Sequence, residues 1–296
     1  MASPIKTLLV TGASSGIGRA TALRLARNGW RVFAAVRQDA DAKEIEADAK
    51  GKLETVRLDV ADRDSVYAAA REIEARLQGR GLDGLFNNAG IGLTSPIEHT
   101  APATLRRIFE INLFGQLDVI QAFLPLIRRK KGRIINTGSV GDHLTPPFGG
   151  AMASSKAAFA SMSVALRLEL RPQGIHVCVI EPGSINTPAV EKTLGGMEQT
   201  IAALPPEAAG LYGDSMRRMA QTFARNERAG SPPEVVAEVV ERALTERNPK
   251  TRYPAGKDAL KLTMLARLLP EKLFDIAILK TFGLPTAFGQ KRPSAV

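Results

Sequence analysis

Across the first two thirds of the chain, short β-branched runs alternate with longer stretches whose apolar positions recur at helical spacing. Thr7–Val10 reads as a first strand and runs into the glycine-rich turn Thr11-Gly12-Ala13-Ser14-Ser15-Gly16-Ile17-Gly18. Ile17–Asn28 follows as a helix, stopped by Gly29. Strands are predicted at Arg31–Val36 and Leu53–Leu58, a helix at Ser65–Leu77, and a strand from Gly84 to Phe86 that ends in Asn87-Asn88-Ala89-Gly90. A long helix over Thr104–Arg129, interrupted near Pro125, leads to strand Arg133–Asn136. Helix Ser154–Leu170, strand His176–Ile180 and the turn Glu181-Pro182-Gly183 complete the series. Runs such as VFAAV and VCVI are apolar on both faces, as strands covered on each side by helices must be. The order predicts an α/β fold: one doubly wound parallel sheet of Rossmann-like type with helices on both faces.

Beyond Pro188 the pattern weakens. Residues 188–231 read as mobile helical or loop material forming a lid over a site. Pro232–Leu244 is a helix with a Ser231-Pro-Pro-Glu start, and Arg252–Pro254 a short last strand. Leu260–Phe282, within a C-terminal helical extension over 257–292, is apolar with interleaved basic residues. A docked helix pair is the first reading there, and peripheral membrane or partner contact the lesser one. Without an internal repeat, linker or second core, residues 1–296 read as one domain.

Composition narrows the function classes. Forty Lys+Arg against thirty Asp+Glu give a net charge of +10, which suits acidic partners such as phosphorylated cofactors, nucleic acid or anionic membrane. The basic residues are spread along the chain and RNA-type aromatic motifs are absent, so nucleic acid is not the expected partner. The single cysteine, Cys178, excludes a disulfide framework and a Cys-based zinc cluster, and no metal site is expected. The start of the chain lacks a signal-peptide layout, and no stretch approaches the ~20 apolar residues of a membrane span. A cytoplasmic location is the expectation.

The turn at Thr11–Gly18 sits where a dinucleotide pyrophosphate can rest on helix N-terminal amides, with glycine allowing close backbone approach. Its spacing is Thr-Gly-x3-Gly-x-Gly. Together with Asp59-Val60, Asn87-Asn88-Ala89-Gly90, Asn112, Ser139, Lys156, Pro182-Gly183 and Thr187, in that order over about residues 5–188, the chain closely resembles the short-chain dehydrogenase/reductase family. The resemblance implies an oxidoreductase binding NAD(H) or NADP(H), with Thr11, Gly12, Ser14, Ser15, Gly16, Ile17 and Gly18 around the phosphates. It also implies that Asp59 and Val60 hold the adenine, and that Asn88 supports the cofactor ribose, with Ala89 and Gly90 also cofactor-binding. Thr187 would then face the carboxamide, with Pro182 and Gly183 also among the cofactor-binding residues. The tail is similar to members acting on steroids, retinoids or other lipophilic alcohols. A homodimer or homotetramer built on the two long helices is also implied. Arg37, at the end of the second predicted strand with no acid before Asp39, offers a cationic fork for a 2′-phosphate. NADP(H) is therefore the preferred cofactor, and NAD(H) the alternative.

The family's catalytic set uses a tyrosine four residues before the lysine, on one helical face. Asn112, Ser139 and Lys156 match that set, but the segment Ala151-Met152-Ala153-Ser154-Ser155-Lys156 has Met152 at the tyrosine position. A thioether has no proton to give. The other tyrosines, Tyr67, Tyr212 and Tyr253, read respectively as a packing or surface residue, a lid residue and a chance Tyr-x3-Lys match in the last strand. His143, next to Asp142 in the loop after Ser139, is the candidate surrogate acid, set against a solvent-facing loop histidine. His99 and His176 look structural. Met152, Met162, Met197, Met216 and Met219 suggest a polarizable apolar pocket, against ordinary core filling for each. Three readings of Met152 stay open: reduction through another acid or water, a cofactor-binding sensor or partner subunit without turnover, and a variant whose tyrosine has been replaced.

Overall fold

Alternate residues of each central strand feed opposite layers of core, which is the physical reason the strands carry almost no polar side chains. The structure, a computed structural model, describes residues 5–286; the side chains at 192–195 fall outside that description. Seven strands form one sheet: β1 (Thr7–Val10), β2 (Arg31–Val36), β3 (Leu53–Arg57), β4 (Gly84–Asn87), β5 (Arg133–Thr137), β6 (His176–Pro182) and β7 (Arg252–Ala255). Every pairing is parallel, in the order β3-β2-β1-β4-β5-β6-β7. Leu8, Val10, Val32, Ala34 and Ile135 enter one core layer. Helices α1 (Gly16–Arg27) and α9 (Pro233–Thr245) cover it through Leu25, Val236 and Val240. Leu9, Phe33, Ala35 and Ile134 enter the other layer. There α3 (Arg63–Leu77), α5 (Gly115–Lys130) and α6 (Gly150–Leu170) contribute Ile73, Phe123 and Phe159. The predicted doubly wound α/β sheet is the observed one.

Several elements differ from the sequence expectation. Helix α2 (Asp39–Asp48) went unassigned because it buries only Ile45 and so has almost no apolar stripe. The predicted long helix does break, but at a different place. Helix α4 (Pro102–Phe109) passes through a π turn, Glu110–Phe114, into α5, with the Gly115 amide reaching back to Glu110. Pro125 lies inside α5 without ending it. Both Pro125 and Gln121, whose carbonyl loses its helical donor, are exposed, so water can replace the missing bond.

The segment after Pro188 is helical. Helix α7 (Ala189–Ala202) and the 23-residue α8 (Pro206–Arg228) take the helical of the two readings the sequence left open. Ala208, Tyr212, Met216, Ala220 and Ala224 recur every fourth residue on α8, a stripe of mostly small side chains with weak hydropathy. The Leu260–Phe282 segment forms the predicted pair, α10 (Ala259–Leu268) and α11 (Glu271–Thr281); the end of the 257–292 extension lies outside the described residues. Leu260, Met264, Leu268 and Leu273 on this pair are exposed. No helix among the described residues is long and apolar enough to cross a membrane.

Candidate active site

Strand order reverses between β1 and β4, and the crevice at the carboxyl ends of such strands is where α/β sheets bind ligands. The Thr11–Gly18 turn fills that position. Gly12 has φ +65°, and a Cβ on it would stand 2.9 Å from the Ala89 Cα. A Cβ on Gly18 would stand 2.2 Å from the Gly12 carbonyl oxygen and 2.7 Å from Asn88 Nδ2. The loop is thus pressed against both its own helix and the end of β4, and side chains are excluded there. Ser15, at the N-cap of α1, makes no side-chain cap, and the first turn carries no acid. The amides and the positive end of the helix dipole therefore lack a side-chain anion. A pyrophosphate suits this donor set.

Thr11 locks the two strand ends together. Its Oγ1 accepts from the amides of Asn88 (2.9 Å) and Ala89 (3.1 Å), while Asn88 Nδ2 donates to the Thr11 carbonyl at 3.1 Å. Thr137 Oγ1 donates to Asn88 Oδ1 at 3.4 Å, which carries the network on to β5. Thr187 closes the cradle from the far side, since a Cβ on Gly16 would lie 3.4 Å from its Cβ. Gly183, after Pro182 at the end of β6, donates its amide to the Ala255 carbonyl (2.9 Å) and has no room for a side chain beside Asp258. Ser14 is half-buried in the turn, and Ile17 packs on the first core layer.

Beyond β3, Asp59 accepts from the Ala61 amide at 3.0 Å, and Asp62 caps the start of α3. Val60 is buried, its carbonyl backed by Gly115, where a Cβ would be 2.1 Å away. Arg37 is exposed just beyond β2 and has no ion-pair partner among the described residues. Arg57, in register with Val36 and also exposed, pairs with Asp39 at 3.7 Å. Its position beside Arg37 was not legible in sequence, because it depends on the β2–β3 pairing.

The residues predicted for chemistry come together around β5 and α6. Lys156 is 7% exposed and donates from Nζ to the Thr137 carbonyl at 2.7 Å. A Cβ on Gly90 would lie 3.2 Å from Asn112 Oδ1 and 3.7 Å from Lys156 Nζ, so this glycine keeps the two close. Asn112 sits in the π turn, fully buried. Its Oδ1 accepts from the Ile91 amide (2.9 Å), and its Nδ2 donates to the Ile91 carbonyl (2.9 Å) and Ser155 Oγ (3.0 Å). Both amide hydrogens are therefore used within the protein. Ser139 accepts from the Gly141 amide at 2.9 Å. Met152 lies one turn before Lys156 on α6, and a Cβ on Gly92 would stand 3.4 Å from its Sδ.

His143 turns away from the expectation of a solvent-facing loop. Its Nε2 lies 2.8 Å from Glu181 Oε1, and the buried carboxylate, an acceptor only, requires Nε2 to be the donor. Arg252 ion-pairs with the same carboxylate and approaches Asp142 Oδ2 at 3.5 Å. Burial pushes the Asp142 carboxyl up to about 6, against the opposing pull of Lys156 and Arg252. Burial also lowers the Lys156 ammonium to about 8, and the Asp142 charge resists this.

The five methionines do not form one pocket. Met162 packs into the main core, Met197 and Met216 into a satellite cluster with Phe148 and Tyr212, and Met219 into another with Phe282 and Leu284. Tyr212 donates to Glu98 at 2.6 Å and meets Phe148 edge-on at 5.9 Å. Tyr67 stacks under Arg63, and Tyr253 is buried with its hydroxyl on Glu246 at 2.7 Å. His176 opens β6, whereas His99 lies in a short turn beside Glu98 and the Tyr212 ring.

A short-chain dehydrogenase family model matches residues 6–197. The chain belongs to the short-chain dehydrogenase family. It is 34% identical to retinol dehydrogenase 5 of Homo sapiens over 286 residues, covering 94% of this chain and 88% of that one. It is 35% identical to 17-beta-hydroxysteroid dehydrogenase type 6 of Rattus norvegicus over 279 residues, covering 91% and 86%. The crystal structure of a short-chain dehydrogenase from Streptomyces avermitilis superposes with a TM-score of 0.70 at 28% identity, covering 89% and 92% of the two chains. A short-chain dehydrogenase/reductase from Burkholderia phymatum, solved in complex with NAD, shares the fold with a TM-score of 0.74 at 22% identity, covering 97% and 98%. This is therefore an oxidoreductase-family chain with a nucleotide-binding Rossmann fold.

Proposed function

We propose that the protein is an NADP(H)-dependent oxidoreductase for a lipophilic carbonyl or alcohol, with the usual proton donor replaced by Met152. The glycine cradle against Ala89 and Asn88, joined through Thr137 to Lys156, supports cofactor binding. Thr11–Gly18 would hold the pyrophosphate, Asp59 and Val60 the adenine, Lys156 the nicotinamide ribose, and Thr187 the carboxamide. The bound nicotinamide would supply or accept the hydride. An unpaired Arg37 beside Arg57 favours a 2′-phosphate over a bare hydroxyl. The retinol and hydroxysteroid dehydrogenases among the relatives favour a lipophilic substrate. So do the exposed Ile91, Ile97 and Leu211; Ile97 lies against Gly150 at the start of α6, close to Met152. Exposed Phe114 at the π turn before α5, with Val164 and Leu168 on α6, fits a homodimer or homotetramer.

The single observation that carries the reading of the chemistry is Met152 placed one turn before Lys156 against Gly92. Ser139 could still orient a carbonyl and Lys156 still bear a proton, but no phenol stands between them. Met152→Tyr is expected to raise reduction of retinal-type or ketosteroid substrates by ~10²–10⁴-fold, the usual worth of one general acid. Unchanged rates with intact NADPH binding would contradict the role given to position 152. A second reading, a cofactor-binding protein without turnover, draws on the engagement of His143 with Glu181, which leaves the surrogate acid occupied. A screen of carbonyls, imines and enones that gives no NADPH oxidation beside tight NADPH binding would select it.

A further inference from the structure

The loop after Ser139 buries a carboxyl group that the fold alone has no reason to keep. The Asp142 side chain is 1% exposed, and its Oδ1 has no hydrogen-bond partner. An anion so placed is costly, and an uncharged side chain would be cheaper. Glycine makes room for it: a Cβ on Gly138 would stand 2.6 Å from Asp142 Oδ2. Gly138 follows Thr137, whose carbonyl receives Lys156 Nζ at 2.7 Å, so carboxyl and ammonium lie against consecutive residues of one strand end.

The surrounding charges sort themselves. Facing Asp142 are Lys156 from α6, Arg252 from β7, Glu181 from β6, the Ser139 amide and, bound to Glu181, His143. Glu181 takes the close contacts of Arg252 and His143, while Asp142 has the Ser139 amide and a 3.5 Å approach to Arg252. Two buried acids thus face Arg252 and Lys156, and the acid left to balance Lys156 is Asp142. We propose that Asp142 is a positioning residue that acts through Lys156, serving as the buried counter-charge that keeps the lysine protonated at the nucleotide site. The proposal rests on the reading that Lys156 holds the nicotinamide ribose. Without this carboxylate, burial acts on the ammonium unopposed and the lysine loses its proton at lower pH.

The test is NADPH affinity measured across pH in the parent, Asp142→Asn and Asp142→Glu. In the parent, affinity should fall as pH rises through about 8, where Lys156 gives up its proton. In Asp142→Asn that fall should move down by about one pH unit, as expected of removing a buried opposite charge. Asp142→Glu should restore it in part. A folded Asp142→Asn with an unmoved limb would overturn the proposal and leave the cofactor reading standing. Infrared titration of the cofactor-free protein provides a second readout, in a Glu227→Gln background that removes the other carboxyl raised to about 7. The protonated-carboxyl band should fade near pH 6 in that background and persist about one unit higher when Lys156→Gln is added. An identical band in both proteins would overturn the proposal whether or not NADPH binds. The expected shift in a protein that binds no NADPH would instead uphold the pair and end the cofactor reading.

Discussion

At the carboxyl-end crevice the glycines matter by the side chain they lack, and the role proposed for Arg37 is one of charge. Gly18 meets the Gly12 carbonyl so closely that a methyl group forces the loop off the helix. Gly18→Ala is therefore expected to lower stability by about 1–3 kcal/mol and to abolish measurable NADPH affinity. Thermal unfolding with a cofactor titration checks both, and wild-type affinity in the variant would refute the cradle geometry. Arg37 has no ion-pair partner to lose among the described residues, so Arg37→Ala should leave folding unchanged. It should weaken NADPH by about tenfold while leaving NADH alone, as fits one charge-assisted contact to a phosphate. Equal weakening of both cofactors would remove the 2′-phosphate from its role. Both proposed roles could be put forward from residue type and position in the sequence. The Asp142–Glu181–Arg252–His143 cluster could not, because 71 residues separate Glu181 from Arg252 and only the β6–β7 pairing brings them together.

Elements with one strong apolar period were legible, and those with a diluted one were not. The central strands announced themselves because both faces are buried, and α1 because its buried positions recur at helical spacing. Helix α2 buries a single isoleucine, and α8 spends its buried face on alanine and methionine, so neither raises the hydropathy signal. The π turn at Glu110–Phe114 leaves no composition mark at all, yet it places Asn112 within reach of Ile91 and Ser155. Helix α8 is also tied to the site by a titrating group. Glu227 accepts from the Ile185 amide at 3.0 Å, and burial raises its carboxyl to about 7. The folded chain then holds a proton that the unfolded chain releases near the ordinary carboxyl value of 4.5, so this group favours folding below 4.5 and progressively less as pH rises to 7. Glu227→Gln should match the parent in thermal stability near pH 4.5 and exceed it above pH 7 by up to about 3 kcal/mol. A parent that is equally stable relative to Glu227→Gln at both ends would show that the carboxyl titrates normally.

At the scale of the whole molecule, a parallel sheet with its order reversing at β1 and β4 fixes where a ligand sits before any side chain is considered. Family membership fixes the class of chemistry, and the relatives span nearly the full chain, so the resemblance is not confined to the glycine turn. The net charge of +10 accords with a phosphorylated partner but does not select one. The cradle, the clamp of Thr11 on Asn88 and the buried Lys156 belong to one continuous network from β1 to α6. If that network serves a redox nucleotide, the methionine before Lys156 becomes a question of proton supply rather than of binding. Calorimetric titration of the full chain with NADPH and with NADH tests this most directly. Saturable binding of both, tighter for NADPH, is the predicted result; no heat with either would contradict the account.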